Sequence, residues 1–291
     1  MNKIKLGVIG DPIEHSRSPE VHGMVLNLLG VSYDYKKIRV KKGALKSFIA
    51  EAKAEGLTGF NLTMPHKKDI IPLLDEISPE AQLYKSVNTV RIKDGRLCGY
   101  NTDAEGFVLA LKQNGFTLTD KKTVILGAGG VVSTLALKFA LMGAAEITVL
   151  NRTAVKAAEI CDMIAKAQQR GILSRAVKAA HGALDTENIV KSSKDCDLLI
   201  NATPLGMSGI EQDFEDLSFF DGIKKDAMAA DLIYNPQKTR FLRYAEDKGL
   251  KIMNGLGMLI GQAIFADEIY LGRSLDVSEI FTKLMQKHYT K

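Results

Sequence analysis

Short apolar runs that suit β-strands alternate with helical patterns along almost all of this 291-residue chain. In the first half, apolar runs at 6–9, 33–39 and 59–62 are separated by helical patterns at 19–29 and 44–54, and two helical stretches near 67–74 and 79–84 follow. Such alternation is typical of parallel sheets, because a helix must return the chain before the next parallel strand can begin. The pattern therefore predicts an α/β fold.

The second half repeats this alternation with shorter connections. Strands are predicted at 123–126, 147–150, 176–179, 198–201, 227–232 and 251–253, and helices at 131–141, 155–168, 239–247, 259–271 and 277–288. Before them, apolar runs at 88–92 and 97–100 flank Asp94-Gly95, a pair that favours a tight hairpin. A helix is predicted at 104–113, where the two halves meet.

The length allows two domains of ordinary size. We expect residues 1–104 and 256–291 to form one domain and residues 105–255 to form the other. This arrangement returns the C-terminal helices to the first domain. The chain would cross between the domains twice, and the crevice between them is the expected binding site.

The net charge of +5 comes from dispersed lysines and arginines rather than from a basic cluster. Dispersed charge argues against nucleic-acid binding and suits an anionic substrate and a phosphorylated cofactor. The three cysteines, Cys98, Cys161 and Cys196, form no close pair, which argues against a disulfide framework or a structural zinc site. No segment approaches the roughly 20 apolar residues that span a bilayer. We expect a soluble, cytoplasmic protein.

A glycine-rich turn, Gly127-Ala128-Gly129-Gly130, lies between a predicted strand and a predicted helix that opens at Val131. This is the setting of a dinucleotide-binding turn. Gly127 would permit the tight turn, and Gly129 would let backbone N–H groups approach a pyrophosphate at the helix N-terminus. The third glycine of the usual pattern is missing, and a turn that binds nothing is the alternative.

The end of the next predicted strand indicates which dinucleotide is preferred. Enzymes that use NAD commonly carry an acidic residue there for the ribose 2′-hydroxyl. This chain has Asn151-Arg152-Thr153, with Lys156 nearby. A guanidinium can bind a 2′-phosphate through two donors, whereas a carboxylate would repel it. NADP is therefore expected over NAD. The alternative is a solvent-facing Arg152, which the helix dipole disfavours at a helix start.

Lys67 follows the predicted strand 59–62 and a proline that opens a helix. Its ammonium would lie near Asn61 and Thr63 at the carboxyl end of a strand, where open α/β sheets bind ligands. Taken with the glycine-rich turn, this arrangement suggests a nicotinamide enzyme whose proton donor is a lysine, and Asp103 could hold its ammonium in place. The alternatives are an exposed helix lysine and an aspartate that caps the helix 104–113. His66 is expected to be a surface histidine of the first helical turn, and no histidine spacing predicts a metal site.

Motifs over the whole chain resemble those of the shikimate dehydrogenase family. The matching stretches are 7–19, 61–67, 87–89, 99–103, 127–130, 151–153, 201–204, 231–236 and 255–262, all in the family's order. The resemblance implies an N-terminal α/β substrate domain, a Rossmann-type NADP-binding domain, and NADP-dependent interconversion of 3-dehydroshikimate and shikimate. It also implies that Lys67 and Asp103 are the catalytic pair.

The resemblance assigns further residues to the ligands. Ser16, Ser18 and Tyr234 would bind the substrate carboxylate, Asn61, Thr63, Asn88 and Gln262 its ring hydroxyls, and Thr203, Leu232 and Gly255 the cofactor, mostly through backbone atoms. The chain departs from the family pattern at Gly23, at Lys85-Ser86 and at Val131-Val132. Two alternatives stay open, a quinate/shikimate dehydrogenase that also uses NAD, and a catalytically silent ligand sensor. The protein is expected to be either a monomer or a homodimer, and the homodimer is the assembly to test for.

Overall fold

A computed structural model describes residues 3–289, with the side chains of 288 and 289 left out of the description. The chain forms two compact units, each with its own six-stranded sheet. Unit 1 comprises the described residues up to Leu109 and those from Leu259 onward, and unit 2 runs from Ala110 to Met258. This is the α/β fold that the sequence predicts.

Unit 1 contains a mixed sheet whose strands lie in the order β2-β1-β3-β5-β6-β4. Its strands are β1 (Ile4–Gly10), β2 (Tyr33–Arg39), β3 (Gly59–Leu62), β4 (Glu76–Ile77), β5 (Thr89–Lys93) and β6 (Arg96–Tyr100). The helices are α1 (Ser18–Leu28), α2 (Leu45–Ala54), α3 (His66–Asp69) and α4 (Pro79–Tyr84), followed by α5 (Asp103–Gln113), which continues into unit 2. Strand β5 is antiparallel to both neighbours, and the other pairs are parallel.

Unit 2 contains a fully parallel sheet in the order β12-β11-β10-β7-β8-β9. Its strands are β7 (Lys122–Leu126), β8 (Glu146–Asn151), β9 (Lys178–Ala183), β10 (Leu198–Asn201), β11 (Met228–Asp231) and β12 (Lys251–Met253). Its helices are α6 (Val132–Leu141), α7 (Ala154–Gln169), α8 (Thr186–Ser193) and α9 (Arg240–Asp247). Numbered from β7, this is the doubly wound order 3-2-1-4-5-6 of dinucleotide-binding folds.

The last helices, α10 (Leu256–Leu271) and α11 (Val277–Tyr289), return to unit 1, as the sequence predicts. Tyr270 of α10 packs with Leu6 and Leu26 in a small buried cluster. His22 Nδ1 of α1 lies 2.7 Å from Asp267 Oδ1 of α10, and both side chains are fully buried. Apolar packing and this polar pair together fix α10 beside the first helix.

Most predicted elements are confirmed, with two informative differences. The predicted strand 176–179 lies two residues later in the structure, at Lys178–Ala183. The helix expected over 67–74 breaks into α3 and a 3-10 turn at Ile71–Leu73, because Pro72 cannot supply a backbone N–H. The hairpin at Asp94-Gly95 is confirmed, with both residues at positive φ, as this turn type requires.

Candidate functional site

The ammonium of Lys67 and the carboxylate of Asp103 form the central pair of unit 1. Lys67 Nζ lies 2.6 Å from Asp103 Oδ2. The lysine side chain is 25% exposed and that of the aspartate 10%, so the pair is shielded while the ammonium remains accessible. Lys67 lies on α3, and the N–H of Val87 donates to its carbonyl at 2.8 Å, which anchors this turn to the chain entering β5.

Asn88 holds the second oxygen of that carboxylate. Its Nδ2 donates to Asp103 Oδ1 at 2.9 Å and to Thr102 Oγ1 at 3.1 Å. Its Oδ1 accepts the backbone N–H of Thr102 at 2.9 Å and the hydroxyl of Thr89 at 2.8 Å. The amide can adopt only one orientation in this setting, because donors and acceptors alternate around it. Asn88 thereby fixes the carboxylate that faces Lys67.

Asn61 lies near the end of β3, which pairs with β5, the strand that follows Asn88. Its Nδ2 donates to the Asn88 carbonyl at 3.2 Å and to Thr89 Oγ1 at 3.1 Å, while its Oδ1 accepts the hydroxyl of Tyr35 at 2.7 Å. Burial raises the pKa of Tyr35 well above its ordinary value, and a bond from Ser18 lowers it in part. Tyr35 therefore keeps its proton and joins Asn61 to Ser18.

Ser16 and Ser18 form the other polar group on this side of unit 1. Ser16 Oγ donates to Ser18 Oγ at 3.2 Å and accepts the backbone N–H of Ser18 at 3.3 Å. Their position at the N-terminus of α1, where Pro19 occupies the first turn, favours an anion. Two hydroxyls at a helix start are the donors that a carboxylate needs.

The remaining predicted substrate residues are distributed over both units. Thr63 follows β3 and hydrogen-bonds through its backbone to Ile9 and His66. Gln262 lies on α10, is 9% exposed, and donates to the carbonyl of Leu259 at 2.9 Å. Tyr234 belongs to unit 2, in the loop after β11. Substrate contacts by these residues stay predictions.

The expectation that His66 is a surface residue is wrong. Its side chain is fully buried, and its Nε2 donates to the carbonyl of Val40 at 2.6 Å. The ring ties α3 to the segment after β2 and so supports the turn that carries Lys67. The surface expectation overlooks the apolar side of this short turn, where Ile70 is also buried.

In unit 2, the glycine turn lies at the carboxyl end of β7. Gly127 has φ +108°, and a Cβ there would approach the carbonyl oxygen of Ala202 to 2.7 Å, so only glycine fits. The turn opens on a cavity of about 320 Å³ at the switch point between β7 and β10, where doubly wound sheets bind dinucleotides. Its walls are Gly127, Ala128, Gly129, Asn151, Arg152, Thr153, Lys156, Leu184, Ala202, Thr203, Pro204 and Leu205.

The cavity includes eight of the predicted cofactor residues and excludes Gly130, Val131, Leu232 and Gly255. Asn151 joins its two walls, because its Oδ1 accepts the N–H of Ala128 at 3.0 Å. Both cationic residues of the cavity, Arg152 and Lys156, are exposed. Neither forms an ion pair with any carboxylate of residues 3–289. Their charge is available to an anionic group such as a 2′-phosphate.

Sequence reasoning missed the polar residues that support this machinery. No role is assigned to Tyr35, Thr89 or Asn201 from the sequence, although Thr89 and Asn201 lie in family stretches, yet each is bonded to a predicted site residue. An asparagine or aspartate closing an otherwise apolar strand, as Asn201 and Asp231 do, is the signal that could have identified the buried ones. Across the described part of the chain, no helix is long and apolar enough to cross a membrane.

Comparison with known proteins agrees with this arrangement. Residues 8–90 match the family model of the shikimate dehydrogenase substrate binding domain, and residues 109–221 match that of shikimate / quinate 5-dehydrogenase. A shikimate dehydrogenase (NADP(+)) from Alkaliphilus metalliredigens (strain QYMF) is 42% identical over 282 residues, which cover 97% of this chain and 96% of that protein.

Two solved structures are similar over nearly the whole chain. The shikimate 5-dehydrogenase of Listeria monocytogenes, in complex with shikimate and NAD, has a TM-score of 0.85 at 33% identity and covers 97% of this chain and 96% of its own. The ligand-free 5-ketofructose reductase of Gluconobacter sp. strain CHM43 has a TM-score of 0.83 at 32% identity, covering 98% and 99%. With both halves matched by family models and relatives matched almost end to end, this chain belongs to the shikimate dehydrogenase family.

Proposed function

We propose that this protein catalyses the NADP-dependent, reversible reduction of 3-dehydroshikimate to shikimate. The observation that carries the proposal is the shielded contact of 2.6 Å between Lys67 and Asp103, held in place by Asn88. Family membership supports the substrate, and the cationic residues beside the glycine turn support the cofactor. The catalytically silent alternative is disfavoured because both reacting side chains are present and paired.

The proposed chemistry assigns the proton to Lys67. When bound, NADPH supplies a hydride to the ketone carbon. Lys67 donates a proton from Nζ to the ketone oxygen, so the C=O bond becomes C–OH and the lysine becomes a neutral amine. Asp103 holds the ammonium in position before transfer and favours its reprotonation afterwards. In the reverse direction, the neutral Lys67 accepts the hydroxyl proton.

The substrate is proposed to bind through its carboxylate and its ring hydroxyls. Ser16 and Ser18 supply hydroxyl donors at the start of α1, and the family resemblance adds Tyr234. Thr63 and Gln262 are proposed for ring hydroxyls, together with Asn61 and Asn88. Both amides are already fully engaged within unit 1, which supports a role in fixing the site as much as in contacting substrate.

The cavity beside the glycine turn fits a phosphorylated dinucleotide. Gly127 leaves the space that a Cβ would fill, and the backbone at Ala128 and Gly129 faces the cavity. Arg152, Thr153 and Lys156 would hold the 2′-phosphate, with Asn151 fixing the spacing between the two loops. NAD is disfavoured, because its unphosphorylated ribose would leave both cations without a partner.

Initial rates of the purified chain test the proposal. Shikimate and quinate are each assayed with NADP and with NAD, and 5-ketofructose with NADPH serves as a ketone control suggested by the reductase of similar fold. We expect the highest kcat/KM for shikimate with NADP. Preferred oxidation of quinate, or equal use of NAD, would instead support the quinate/shikimate alternative. Light scattering of the same sample tests for a homodimer.

The cytoplasmic location also remains our proposal. Cys98, Cys161 and Cys196 are all free and buried, and buried unpaired thiols suit a reducing compartment. Fractionation of cells that express the native protein would test the location.

A further inference from the structure

A buried carboxylate at the end of β11 organises two loops of unit 2. Asp231 Oδ1 accepts the backbone N–H of Ile233 at 2.9 Å, and Oδ2 accepts the hydroxyl of Thr239 at 2.7 Å. The amide of Asn201, its partner in register on β10, donates to both oxygens at 3.2 and 3.3 Å. Asp231 and Asn201 are fully buried and Thr239 is 1% exposed.

Asn201 also hydrogen-bonds to the loop after β10. Its Oδ1 accepts the N–H and the hydroxyl of Thr203 at 3.0 and 2.7 Å, and its Nδ2 also lies 3.3 Å from the carbonyl of Leu205. Thr203 and Leu205 line the cavity beside the glycine turn. The loop wall of the cavity is therefore tied, through one asparagine, to the carboxylate of Asp231.

The same carboxylate orders the loop after β11. Its bond to Ile233 fixes the first turn of that loop, and the loop approaches Gly255 so closely that a Cβ there would lie 2.1 Å from the carbonyl oxygen of Leu232. Thr239, whose hydroxyl also accepts the N–H of Leu242, begins α9. The carboxylate of Asp231 therefore supports two loops and the start of helix α9.

Every hydrogen-bond partner of Asp231 is a donor. The donors are a backbone N–H, a hydroxyl and an amide NH₂, and such a set matches an ionised carboxylate rather than a neutral amide. An asparagine at this position would turn its own NH₂ toward at least one of these donors. The two loops would then lose part of their common support.

The loops after β10 and β11 both lie on the same side of β7, the first strand of this sheet. In a doubly wound sheet the dinucleotide spans the carboxyl edge, so its two halves lie on opposite sides of the first strand. Arg152 marks the adenosine side at β8, which leaves β10 and β11 to the nicotinamide half. We propose that Asp231 is a positioning residue that shapes the nicotinamide half of the cofactor site through the loops after β10 and β11. This inference rests on the proposed use of NADP.

The test compares the whole cofactor with its adenosine half. Dissociation constants of NADP⁺ and of adenosine 2′,5′-bisphosphate, which lacks the nicotinamide, are measured by calorimetry on the full chain. For Asp231→Asn we expect NADP⁺ binding to weaken about tenfold, the scale of one lost charge-assisted bond, while the fragment changes by less than about twofold.

A matched control lies at the opposite edge of the same sheet. Asp197 precedes β10, is 8% exposed, and accepts the N–H of Lys122 at 2.7 Å and the ammonium of Lys224 at 2.6 Å. Asp197→Asn makes the same chemical change in a second acid of unit 2 that accepts hydrogen bonds, and should lower the melting temperature without separating the two ligands. Should Asp197→Asn produce the same split, the effect would be general to unit 2 and the inference would be wrong.

Each remaining outcome is also decisive. Equal weakening of both ligands by Asp231→Asn, or no weakening of either, overturns the inference. If that variant does not fold, Thr239→Val, which removes one donor, takes its place. It must weaken the binding of NADP⁺ about threefold more than the binding of the fragment. Failure of the wild type to bind NADP⁺ or the fragment would contradict the proposed function instead.

Discussion

Lys67 supplies the ammonium on which the proposed chemistry depends. Lys67→Ala removes the proton donor, and positioned proton transfer typically contributes about 10²–10⁴-fold to rate. We expect kcat to fall by about 10²–10⁴-fold, measured as the rate of NADPH formation from shikimate. NADPH binding, followed by fluorescence, should be retained. Lys68→Ala, at the exposed neighbouring position, is the control and should keep normal turnover. A Lys67→Ala enzyme with more than about a tenth of normal turnover would remove the lysine from the catalytic role.

Asp103 tests whether charge or helix capping matters at the start of α5. Asparagine is as good an N-cap as aspartate, so Asp103→Asn keeps any capping function. It removes the charge that faces Lys67, and its NH₂ would confront either the ammonium or the amide of Asn88. We expect a large loss of kcat in a protein that still folds, with the melting temperature lowered only by the cost of this polar mismatch. Normal turnover would show that the residue only caps the helix.

Arg152 tests the cofactor at the same scale. One charge-assisted contact is worth about 1.5–3 kcal/mol, or roughly 10- to 100-fold in affinity. Arg152→Ala should raise the KM for NADP by about that factor and leave the kinetics with NAD unchanged. Arg170→Ala, at the C-cap of helix α7, which begins two residues after Arg152, controls for a general loss of positive charge. An equal effect on both cofactors would contradict the assignment of Arg152.

At the scale of the element, the end of helix α4 has an unusual residue. Lys85 is its C-cap and adopts the left-handed conformation, with φ 52° and ψ 41°. An L-residue with a Cβ is strained there, and glycine, which is the family's usual residue by resemblance, is not. Lys85 is exposed, so it gains no burial in return.

Lys85→Gly should therefore raise the free energy of unfolding by about 1 kcal/mol, measured by urea denaturation. Lys68→Gly, which removes an exposed lysine from α3 without relieving a left-handed residue, should instead be destabilising. A Lys85→Gly variant that is less stable than the wild type would show that the side chain makes a compensating contact.

Helix α1 shows how a second departure from the family pattern is accommodated. A Cβ on Gly23 would lie 2.7 Å from the hydroxyl of Tyr33, so β2 and α1 approach each other more closely than a larger residue would allow. The departure is explained by packing in unit 1. It leaves the contacts of Lys67 and Asp103 unchanged.

For the molecule as a whole, Asp231 makes stability depend on pH. Burial raises its pKa to about 6 from an ordinary value of 3.8, although three sets of hydrogen bonds lower it. The folded chain then holds this proton more tightly than the unfolded chain, so the contribution of Asp231 to stability falls as pH rises from about 4 to about 6 and is constant above. The full difference is about 3 kcal/mol.

The free energy of unfolding of wild type minus that of Asp231→Asn isolates this contribution, because other titrating groups cancel. It should decrease by up to about 3 kcal/mol between pH 4 and pH 6.5 in chemical denaturation. A difference that rises over this range would mean that the folded pKa lies below 3.8 and that the hydrogen bonds outweigh burial.

What the sequence determined by itself was local. Alternating apolar patterns identified most strands and helices, the pair Asp94-Gly95 identified its hairpin, and the glycine-rich stretch 127–130 identified a tight turn in which Gly127 has no room for a Cβ. These features depend on neighbours within a few positions, so their physical causes are readable in order along the chain. The family motifs added the pairing of Lys67 with Asp103.

The tertiary structure alone decided which polar groups meet. Asn201 and Asp231 are 30 residues apart, yet they share a hydrogen bond because the neighbouring parallel strands β10 and β11 place them in register. Tyr35 and Asn61 are 26 residues apart and meet because β2 and β3 flank the same strand, β1. His66 became a buried support because α3 turns it toward Val40. Strand order and register determine these contacts, and the local spacing of apolar residues predicts neither. A side chain's neighbours across a sheet are fixed only when the whole sheet has formed.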